Sequence, residues 1–442
     1  MSDDDTLNMA GSNEAFSARD RMLVMLLPWM RGRLSVHPPG QTRLVATVCA
    51  EAGTTAFVNA PEAERHIQPG AFALTLPGDL ALRSIHVKLP GAPPAEAGRH
   101  VEDIKAKFNE TLGDTPGVRA QPCAVFLPGI GVICWGRNKR EADVIAAHCR
   151  RVIGGCRGGE TASAPAADAS RGDFGDRVIV VAGGGSGIGR EVAARLHHEG
   201  AHVAIVDLLH EAAAQTAAQL QGAIAIACDI TNRRDVRAMF HRVVLAFGGF
   251  DAAAVTAGIF PAPGADGHVD DRMWAAAFNV NVTGSYIVAD EARAVWLEQG
   301  LKAGLVLTTS ANAIVAKKGS LAYDTSKAAA NHLVRELAIE LAPLVRVNAV
   351  APATVIEGSA MFPRDRVISS LTKYNVSFSG GEPTESLREK LALFYAKRTL
   401  LHEPITPADQ AEAYLILLSE KLSKTTGHII PVDGGLEQAF LR

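Results

Sequence analysis

Residues 178–190 read VIVVAGGGSGIGR, an apolar β-branched run that leads straight into a glycine-rich loop. The run predicts a buried strand, and the pattern that follows the loop predicts a helix. Gly183 permits the sharp turn, Gly187 lets the backbone approach a phosphate, and Gly189 lets the helix pack closely on the strand. A glycine-rich turn is as often a plain turn as a phosphate-binding loop, so its function has to be inferred from the rest of the chain.

Past this loop, short β-branched runs alternate with longer alanine-rich helical patterns. Continuous apolar strands separated by helices indicate a parallel sheet that is covered by helices on both faces. We therefore predict an α/β fold with a doubly wound, Rossmann-type parallel sheet of about seven strands. The predicted strands are Val178–Ala182, His202–Val206, Ile224–Cys228, Ala252–Thr256, Gly304–Ser310, Val345–Ala351 and His428–Pro431.

A compositional break divides the chain of 442 residues into two domains. Residues 157–172 are rich in Gly, Ala, Ser and Pro and show no apolar periodicity, which is typical of a linker. We predict a smaller N-terminal α/β domain in residues 1–156 and the Rossmann domain in residues 173–442, both of ordinary domain size.

Three stretches of the N-terminal region have a pattern that predicts local structure. Residues 54–70 indicate a strand, a turn and a helix, whereas residues 124–153 indicate a hairpin around Pro128 and Gly129 that is followed by a helix. Residues 22–30, MLVMLLPWM, are too short to span a bilayer and are interrupted by a proline, so they predict a buried segment.

The composition excludes several classes of function. A net charge of −3 favours neither nucleic acid nor an anionic membrane as a partner, and no apolar run is long enough to cross a bilayer. The opening MSDDDTLNMAG is acidic and polar, unlike a secretion signal. Six cysteines without a close pair form neither a disulfide nor a zinc framework, as expected for reduced thiols. We therefore predict a cytoplasmic protein that binds a small molecule.

The strand after the glycine loop ends at Asp207, 18 residues beyond Gly189. A carboxylate at this spacing can accept hydrogen bonds from the adenosine ribose and would repel a 2′-phosphate. No basic residue follows Asp207, and Ser186 inside the loop is uncharged, so the pattern favours NAD over NADP. The alternative is that Asp207 is a solvated loop residue.

The ends of the next two strands add to this site. Asp229, followed by Ile230, closes the third strand, where its carboxylate can bond the adenine amino group. The small residues Ala257 and Gly258 close the fourth strand, where they would let the adenosine lie against the backbone.

Four downstream residues predict catalysis. Tyr323 and Lys327 stand four residues apart at the start of a helical pattern, so they share one helix face. There the ammonium, helped by the positive ring of an oxidised nicotinamide, favours the tyrosinate of a general base. Ser310 at a strand end can bond the substrate oxygen, and Asn281 can hold a water that links Lys327 to solvent. Taken singly, Tyr323 and Lys327 are as well explained as a surface pair, and Ser310 as a cap. Their order downstream of the loop favours an active site.

Residues 173–442 resemble the short-chain dehydrogenase/reductase family. The resemblance implies that Tyr323 is the general acid/base, that Lys327 binds the nicotinamide ribose and tunes Tyr323, and that Ser310 orients the substrate. It also implies that Asn281 supports a proton relay and that the protein is a homodimer or homotetramer. It rests on Gly183, Gly187, Ile188, Gly189, Asp229, Ala257, Gly258, Asn281, Ser310, Tyr323 and Lys327. The cofactor-binding set is then Gly183, Gly185, Ser186, Gly187, Ile188, Gly189, Asp207, Asp229, Ile230, Ala257, Gly258, Tyr323, Lys327 and Pro352.

The chain departs from the family pattern at three places. Ala182 stands where the family usually has Thr, and Val255 with Thr256 stand where it usually has two Asn. These positions brace the sheet and the loop, so we expect altered stability rather than lost activity. Ala353 replaces the usual Gly after Pro352, which would shift the nicotinamide pocket.

Residues 395–442 are similar to the dehydrogenase half of class II aldolase/short-chain dehydrogenase fusion proteins of the rhamnulose-phosphate aldolase type. Residues 57–83 and 126–146 resemble the later part of the aldolase half. Such aldolases need clustered histidines for a divalent metal, yet no His-x-His precedes the linker, and residues 77–79 read Pro-Gly-Asp instead of Pro-Asp-His. We therefore predict no metal and a truncated, non-catalytic N-terminal domain, unless scattered histidines converge in space. These are His37, His66, His86, His100 and His148.

The segment 357–399 is the expected substrate lid. Its basic side chains include Arg364, Arg366, Lys373, Lys390 and Arg398, a mixture that suits a polar substrate but that is also common on a solvated surface. The predicted function is an NAD-dependent alcohol dehydrogenase for a polyol, deoxy sugar, hydroxyaldehyde or hydroxy acid. The alternatives are a non-catalytic NAD-binding scaffold and a bifunctional metal-dependent aldolase/dehydrogenase.

Overall fold

The structure is a computed structural model of the chain. It describes residues 16–35, 43–60, 63, 67, 74–76, 80–87, 97–112, 121–154, 172–261, 263–264 and 267–439. The chain forms two compact units. The first contains residues 1–178, 240–250 and 295–301, and the second contains residues 179–239, 251–294 and 302–442. The predicted linker, except for Gly172, lies outside the described residues.

The first unit has a four-stranded sheet in the order β1-β6-β5-β4, in which β6 is antiparallel to both of its neighbours and β4 is parallel to β5. A separate antiparallel pair joins β2 and β3. The strands are β1 (Val45–Cys49), β2 (Thr75–Leu76), β3 (Leu80–Ala81), β4 (Arg83–His86), β5 (Cys123–Leu127) and β6 (Gly131–Gly136). The helices are α1 (Ala18–Leu34), α2 (Ala52–Asn59), α3 (Ala97–Leu112) and α4 (Lys139–Ile153).

Successive side chains of β5 point to opposite faces of the sheet, so they belong to two different apolar cores. Val125 and Leu127 pack with residues of α1 and α3, whereas Ala124 and Phe126 pack with residues of α2 and α4. The sheet of the first unit is therefore covered on both faces, and the hairpin and following helix predicted for residues 124–153 are confirmed. The predicted buried segment lies in α1, where Leu23, Leu26, Leu27 and Met30 are buried.

The strand predicted at the start of residues 54–70 is wrong. Residues 52–59 form helix α2, with Thr54 and Val58 buried one helical turn apart and Val58 in the apolar core. Packing of that face therefore outweighs the β-propensity of the Thr, Phe and Val residues in this stretch. Most of the helix predicted after the turn lies outside the described residues.

The second unit is built on a seven-stranded parallel sheet in the order β13-β12-β11-β10-β7-β8-β9. All seven predicted strands are present, which confirms the doubly wound α/β fold beside a smaller domain with its own sheet. They are β7 (Val178–Ala182), β8 (His202–Asp207), β9 (Ile224–Ala227), β10 (Ala252–Val255), β11 (Ala303–Thr308), β12 (Val345–Pro352) and β13 (Ile429–Val432).

The strand order reverses between β7 and β10, and ligands bind at such a switch point, beyond the carboxyl ends of the strands. The helices from residue 187 onward are α5 (Gly187–His198), α6 (His210–Ala217), α7 (Arg233–Phe247), α8 (Asp271–Phe278), α9 (Ser285–Gln299), α10 (Leu321–Leu341), α11 (Arg364–Lys373), α12 (Thr384–Ala396) and α13 (Pro407–Leu418). Within the described residues, no helix is both long enough and apolar enough to cross a membrane.

Candidate active site

The glycine loop lies at the end of β7, as the sequence predicts. Gly183 has φ +88°, a left-handed conformation that favours glycine. A Cβ atom on Gly183 would lie 2.5 Å from the Ala257 nitrogen, and one on Gly189 would lie 2.1 Å from the Gly183 carbonyl oxygen. The loop, the start of α5 and the end of β10 are therefore so close together that side chains at these two positions are excluded.

Helix α5 begins at Gly187, after the N-cap residue Ser186, whose side chain makes no capping hydrogen bond. A helix N-terminus offers unpaired N–H groups to an anion. The first of these groups is already used, because the Gly187 N–H donates to the Gly358 carbonyl oxygen at 3.0 Å. The half-buried Ile188 follows in the first turn.

Asp207 ends β8 directly beside this loop. Its Oδ2 accepts a hydrogen bond from the Gly185 N–H at 3.0 Å, and its Oδ1 accepts one from the Leu209 N–H at 3.2 Å. A Cβ atom on Gly185 would lie 2.7 Å from Oδ2. The structure thus brings together the loop and the carboxylate that the sequence spacing connects.

The end of β9 lies next to the end of β8, because the Cys228 N–H donates to the Asp207 carbonyl oxygen at 2.9 Å. The Asp229 carboxylate accepts hydrogen bonds from the Thr231 N–H at 2.9 Å and the Thr231 hydroxyl at 2.7 Å. The buried Ile230 lies against Gly284. The Asp229 carboxylate is therefore held at the edge of the sheet where ligands bind.

Thr256, which stands at one of the positions where the chain departs from the family pattern, is hydrogen-bonded to the end of β7. Its hydroxyl donates to the Ala182 carbonyl oxygen at 2.9 Å, and its N–H donates to the same oxygen at 2.7 Å. The hydroxyl also lies within 2.7 Å of the positions that Cβ atoms on Gly183 and Gly189 would take. Thr256 and the Ala257 N–H, which donates to the same oxygen at 3.0 Å, thus join the end of β10 to the end of β7.

The predicted catalytic residues lie around the start of α10. The Lys327 Nζ lies 5.7 Å from the centroid of the Tyr323 ring and donates to the Thr308 carbonyl oxygen at 2.8 Å. A Cβ atom on Gly258 would lie 3.2 Å from the Asn281 Oδ1 and 3.5 Å from the Lys327 Nζ. The fold therefore gathers Tyr323, Lys327, Asn281 and Gly258 in one place.

Asn281 lies in a π-helical turn, residues 279–284, of the kind often found at functional sites. Its Nδ2 donates to the Ile259 carbonyl oxygen and to the Ser326 hydroxyl, both at 3.0 Å, and its Oδ1 accepts from the Ile259 N–H at 2.9 Å. The amide thus fixes the chain after β10 against α10. Its predicted role in holding a water stays a prediction.

Ser310 follows the end of β11 and caps a short 3₁₀ helix. Its hydroxyl accepts from the Asn312 N–H at 3.1 Å and donates to the Pro352 carbonyl oxygen at 3.4 Å, and its interaction with Tyr323 lowers the pKa of that phenol. Strand β11 ends two residues before the predicted end, so Ser310 is held by a turn and by Pro352 of β12.

Burial dominates the acid–base properties of the pair. It raises the pKa of Tyr323, and the negative charge of Asp324 raises it further, whereas the hydrogen bond with Ser310 and the charge of Arg366 lower it. Burial also lowers the pKa of Lys327 to about 8. The expected lowering of the Tyr323 pKa by Lys327 is thus not the net effect, because the phenol is desolvated. Lys327 still carries its charge at neutral pH.

Three residues beside Tyr323 were not predicted to act on it. The Asp324 carboxylate accepts from the Asn312 side chain at 2.7 Å and from the Lys317 N–H at 2.9 Å. The Phe260 ring lies 5.0 Å from the Tyr323 ring, and the Arg366 guanidinium lies 4.4 Å from the Phe260 ring. The adjacency of Asp324 to Tyr323 in the sequence was a usable signal, but no local pattern connects Phe260 and Arg366 to Tyr323.

Substitution of Asp324 by Asn should shift the acid limb of the pH–rate profile for alcohol oxidation to lower pH. The reason is that the carboxylate raises the pKa of Tyr323, so its loss makes the phenol easier to deprotonate. Glu340→Gln, which removes an exposed charge from the far end of the same helix, is the control. An unchanged profile for Asp324→Asn, or an equal shift in both variants, would rule out this electrostatic effect.

No metal-binding cluster is found in the part of the chain that the structure describes, where no three His, Cys, Asp or Glu side chains are grouped suitably. His86, His100 and His148 fall in this part, whereas His37, His66 and residues 77–79 lie outside it. Three buried thiols do come together in the first unit, those of Cys49, Cys134 and Cys149. The Sγ atoms of Cys134 and Cys149 are 4.0 Å apart, and both thiols are free.

A parallel sheet with a glycine loop at its switch point, and a half-buried tyrosine beside a lysine, define a class of dinucleotide-dependent oxidoreductases. Residues 177–364 match the family described as short chain dehydrogenase. The chain is also 30% identical over 270 residues to the glucose 1-dehydrogenase of Gluconobacter oxydans (strain 621H), in a match that covers 60% of this chain and 92% of that relative. The chain therefore belongs to the short chain dehydrogenase family, an oxidoreductase family that acts on CH–OH groups and uses NAD or NADP.

Two further relatives extend the comparison. The chain is 28% identical over 469 residues to the uncharacterized oxidoreductase YuxG of Bacillus subtilis (strain 168), in a match that covers 96% of this chain. The chain spans 65% of the length of that relative. The solved structure of the Thermoplasma acidophilum aldohexose dehydrogenase matches with a TM-score of 0.51 and 26% identity, over 60% of this chain and 95% of that chain.

Proposed function

We propose that the protein is an NAD-dependent alcohol dehydrogenase that interconverts a secondary alcohol and a carbonyl group. The observation that carries this proposal is the half-buried Tyr323, whose ring centroid lies 5.7 Å from the Lys327 Nζ and whose phenol interacts with Ser310. Its substrate is a small polar, sugar-derived molecule, such as a polyol, a deoxy sugar, a hydroxyaldehyde or a hydroxy acid. Two relatives whose names describe sugar dehydrogenases, a glucose 1-dehydrogenase and an aldohexose dehydrogenase, support this class.

The residues present fit a nicotinamide dinucleotide. The loop leaves no room for side chains at Gly183 and Gly189, and α5 presents its N-terminus beside the Asp207 carboxylate. When bound, the nicotinamide accepts or returns the hydride, and its oxidised ring adds positive charge to the site. Asp207 would accept hydrogen bonds from the adenosine ribose, and Asp229, Ile230, Ala257, Gly258 and Pro352 would line the remaining contacts.

Tyr323 moves the proton in this mechanism. In alcohol oxidation the phenolate takes the proton of the substrate hydroxyl, and in carbonyl reduction the phenol returns it. Ser310 donates a hydrogen bond to the same substrate oxygen and stabilises its developing charge. Lys327, charged at neutral pH, stabilises the phenolate against the burial that raises its pKa. Asn281 holds the chain after β10 against α10, so that the site keeps its shape.

Asp207 is proposed to select NAD over NADP. Substitution by Ala should weaken NAD about 10-fold in KM, because a charged hydrogen-bond acceptor is lost. It should also raise turnover with NADP, since the repulsion of the 2′-phosphate is removed. Steady-state kinetics with both cofactors measure the change. Glu211→Ala, an exposed acid in the next helix, is the matched control, and an unchanged cofactor preference in Asp207→Ala would refute the assignment.

The N-terminal domain is proposed to be a non-catalytic remnant of an aldolase half. The similarity to YuxG supports a shared origin, because it covers 96% of this chain and therefore reaches the residues before the dehydrogenase match. A cytoplasmic homodimer or homotetramer is proposed with it. The purified chain can be analysed for metal and assayed for retro-aldol cleavage. A stoichiometric divalent metal together with aldolase activity would contradict the proposal that this domain is non-catalytic.

The function is tested by reduction of NAD, followed as nicotinamide absorbance, across polyols, deoxy sugars, hydroxyaldehydes and hydroxy acids. Turnover with at least one substrate, lost in Tyr323→Phe, is the expected result. Tight NAD binding without turnover on any substrate would instead favour a scaffold that holds NAD.

A further inference from the structure

Arg366 places a cation close to the proposed catalytic tyrosine. Its guanidinium lies 4.4 Å from the ring centroid of Phe260 and 5.0 Å from that of Phe362. The Phe260 ring in turn lies 5.0 Å from the Tyr323 ring. One aromatic ring thus separates the guanidinium from the phenol, and the two groups interact electrostatically.

A cavity of about 320 Å³ opens in the same region of the second unit. This volume lies at the lower end of the range for small-molecule sites, about 300–1,000 Å³. Its wall includes Lys317, from the loop between Ser310 and Tyr323, and Thr354, two residues after Pro352. Tyr395 and Arg398, from the end of the lid segment, also line it, and Tyr395 interacts electrostatically with Arg366.

The cations of this region lack carboxylate partners. Among the described residues, no Asp or Glu oxygen forms an ion pair with Arg366, Arg398 or Lys317. Arg366 donates to the Met361 carbonyl oxygen at 2.8 Å, and Arg398 stacks on aromatic rings, 4.6 Å from that of Phe394. Lys317 is within electrostatic range of Asp324, whose two oxygens already accept hydrogen bonds.

Arg398 is exposed, whereas partial burial makes the charges of Arg366 and Lys317 costly. Burial lowers the pKa of Arg366 and the pKa of Lys317, and the positive charge of Arg398 lowers the pKa of Lys317 further. A half-buried cation gains stability from an anion that binds beside it. Among the described residues that line the cavity, Lys317 and Arg398 are the two cations and Glu403 is the one carboxylate. Arg366 is not a lining residue, but it interacts electrostatically with Tyr395, which is one.

We propose that the substrate carries an anionic group, a carboxylate or a phosphate ester, and that Arg366 binds this group together with Lys317 and Arg398. The proposal rests on the proposed dehydrogenase function and narrows its substrate class to small anionic alcohols. The guanidinium of Arg366 directs the anion, while the hydroxyl to be oxidised lies at Tyr323 and Ser310. A guanidinium binds carboxylate and phosphate oxygens alike through paired N–H groups.

Matched substrate sets test the proposal and distinguish the two anions. Each set contains a neutral polyol, its phosphate ester and its acid: glycerol, glycerol 3-phosphate and glycerate, and likewise sorbitol, sorbitol 6-phosphate and gluconate. We expect kcat/KM for one anionic member to exceed that for its neutral partner by at least about 10-fold, since a charged hydrogen bond has about that effect. The preferred anion identifies the group. A neutral member that is turned over best would overturn the proposal while leaving the dehydrogenase function intact.

Arg366→Gln tests the residue itself. It should lower kcat/KM for the anionic member at least about 10-fold, chiefly through KM, and change the neutral member less than about threefold. Arg366→Lys, which keeps the charge, should restore part of the loss. An equal loss for all members of a set would instead mean that Arg366 only supports the lid, and that outcome rejects the anion site.

If the protein turns over no member of the substrate sets, the anion site can still be tested by a binding measurement. Calorimetric titration of the full chain with inorganic phosphate and with malonate, at saturating NADH, should give binding that Arg366→Gln and Arg398→Gln each weaken at least about 10-fold. Lys397→Gln and Lys318→Gln, the neighbouring exposed cations, should bind as the wild type. Anion binding lost only in the first pair would support the site even if the dehydrogenase function failed, and equal binding in all variants would reject it.

Discussion

Replacement of Tyr323 by Phe should lower kcat for alcohol oxidation at least about 1,000-fold. Acid–base catalysis contributes about 100- to 10,000-fold, and this substitution removes the oxygen that is proposed to transfer the proton while it keeps the ring. The ring contacts with Phe260 and the position over Lys327 should persist, so the variant should fold normally. The loss therefore belongs to chemistry rather than to the shape of the site.

The controls for Tyr323→Phe separate chemistry from binding. NADH binding, followed by its fluorescence, should change less than about threefold, because the phenol hydroxyl contributes one hydrogen bond at most. Tyr286→Phe, on an exposed tyrosine of α9, should leave kcat unchanged. Retained turnover in Tyr323→Phe would refute its role, whereas a matching loss of NADH affinity would assign the effect to cofactor binding.

Replacement of Gly189 by Ala should both destabilise the protein and weaken cofactor binding. The new Cβ atom would lie 2.1 Å from the Gly183 carbonyl oxygen and 2.4 Å from the Thr256 hydroxyl oxygen, and no movement of a side chain can relieve the first of these contacts, which is with the backbone. Helix α5 must then move away from β7, which carries the loop with it. Overpacking of this kind costs about 1–3 kcal/mol or more in the free energy of unfolding.

Thermal unfolding and NADH titration measure the two effects of Gly189→Ala. We expect Tm to fall by roughly 2–4 °C per kcal/mol and the affinity for NADH to fall at least about 10-fold. Gly381→Ala is the matched control, because a Cβ atom there meets nothing within 4 Å and the residue has no positive φ. Wild-type affinity in Gly189→Ala would mean that the loop does not hold the cofactor.

Within single elements the sequence was a reliable guide. The seven strands of the large sheet were predicted from β-branched runs, because side-chain patterns report local conformation directly. Tyr323 and Lys327 were placed on one face because α-helical geometry brings residues four apart together. Asp207 was connected to the loop because consecutive strands of such folds are usually neighbours. The exception, residues 54–59, is a helix because packing of Val58 overrides local propensity.

The charge and packing around the site were decided by tertiary structure alone. Phe260 and Arg366 reach Tyr323 from loops and helices far away in the chain, and no periodicity records such a contact. The hydrogen bond from Gly187 to Gly358 is of the same kind. Burial raises the pKa of Tyr323 against the expectation from Lys327, because desolvation depends on every neighbour that excludes water. The amino-acid sequence thus predicted which residues form the candidate site, and the assembled fold decided what surrounds them.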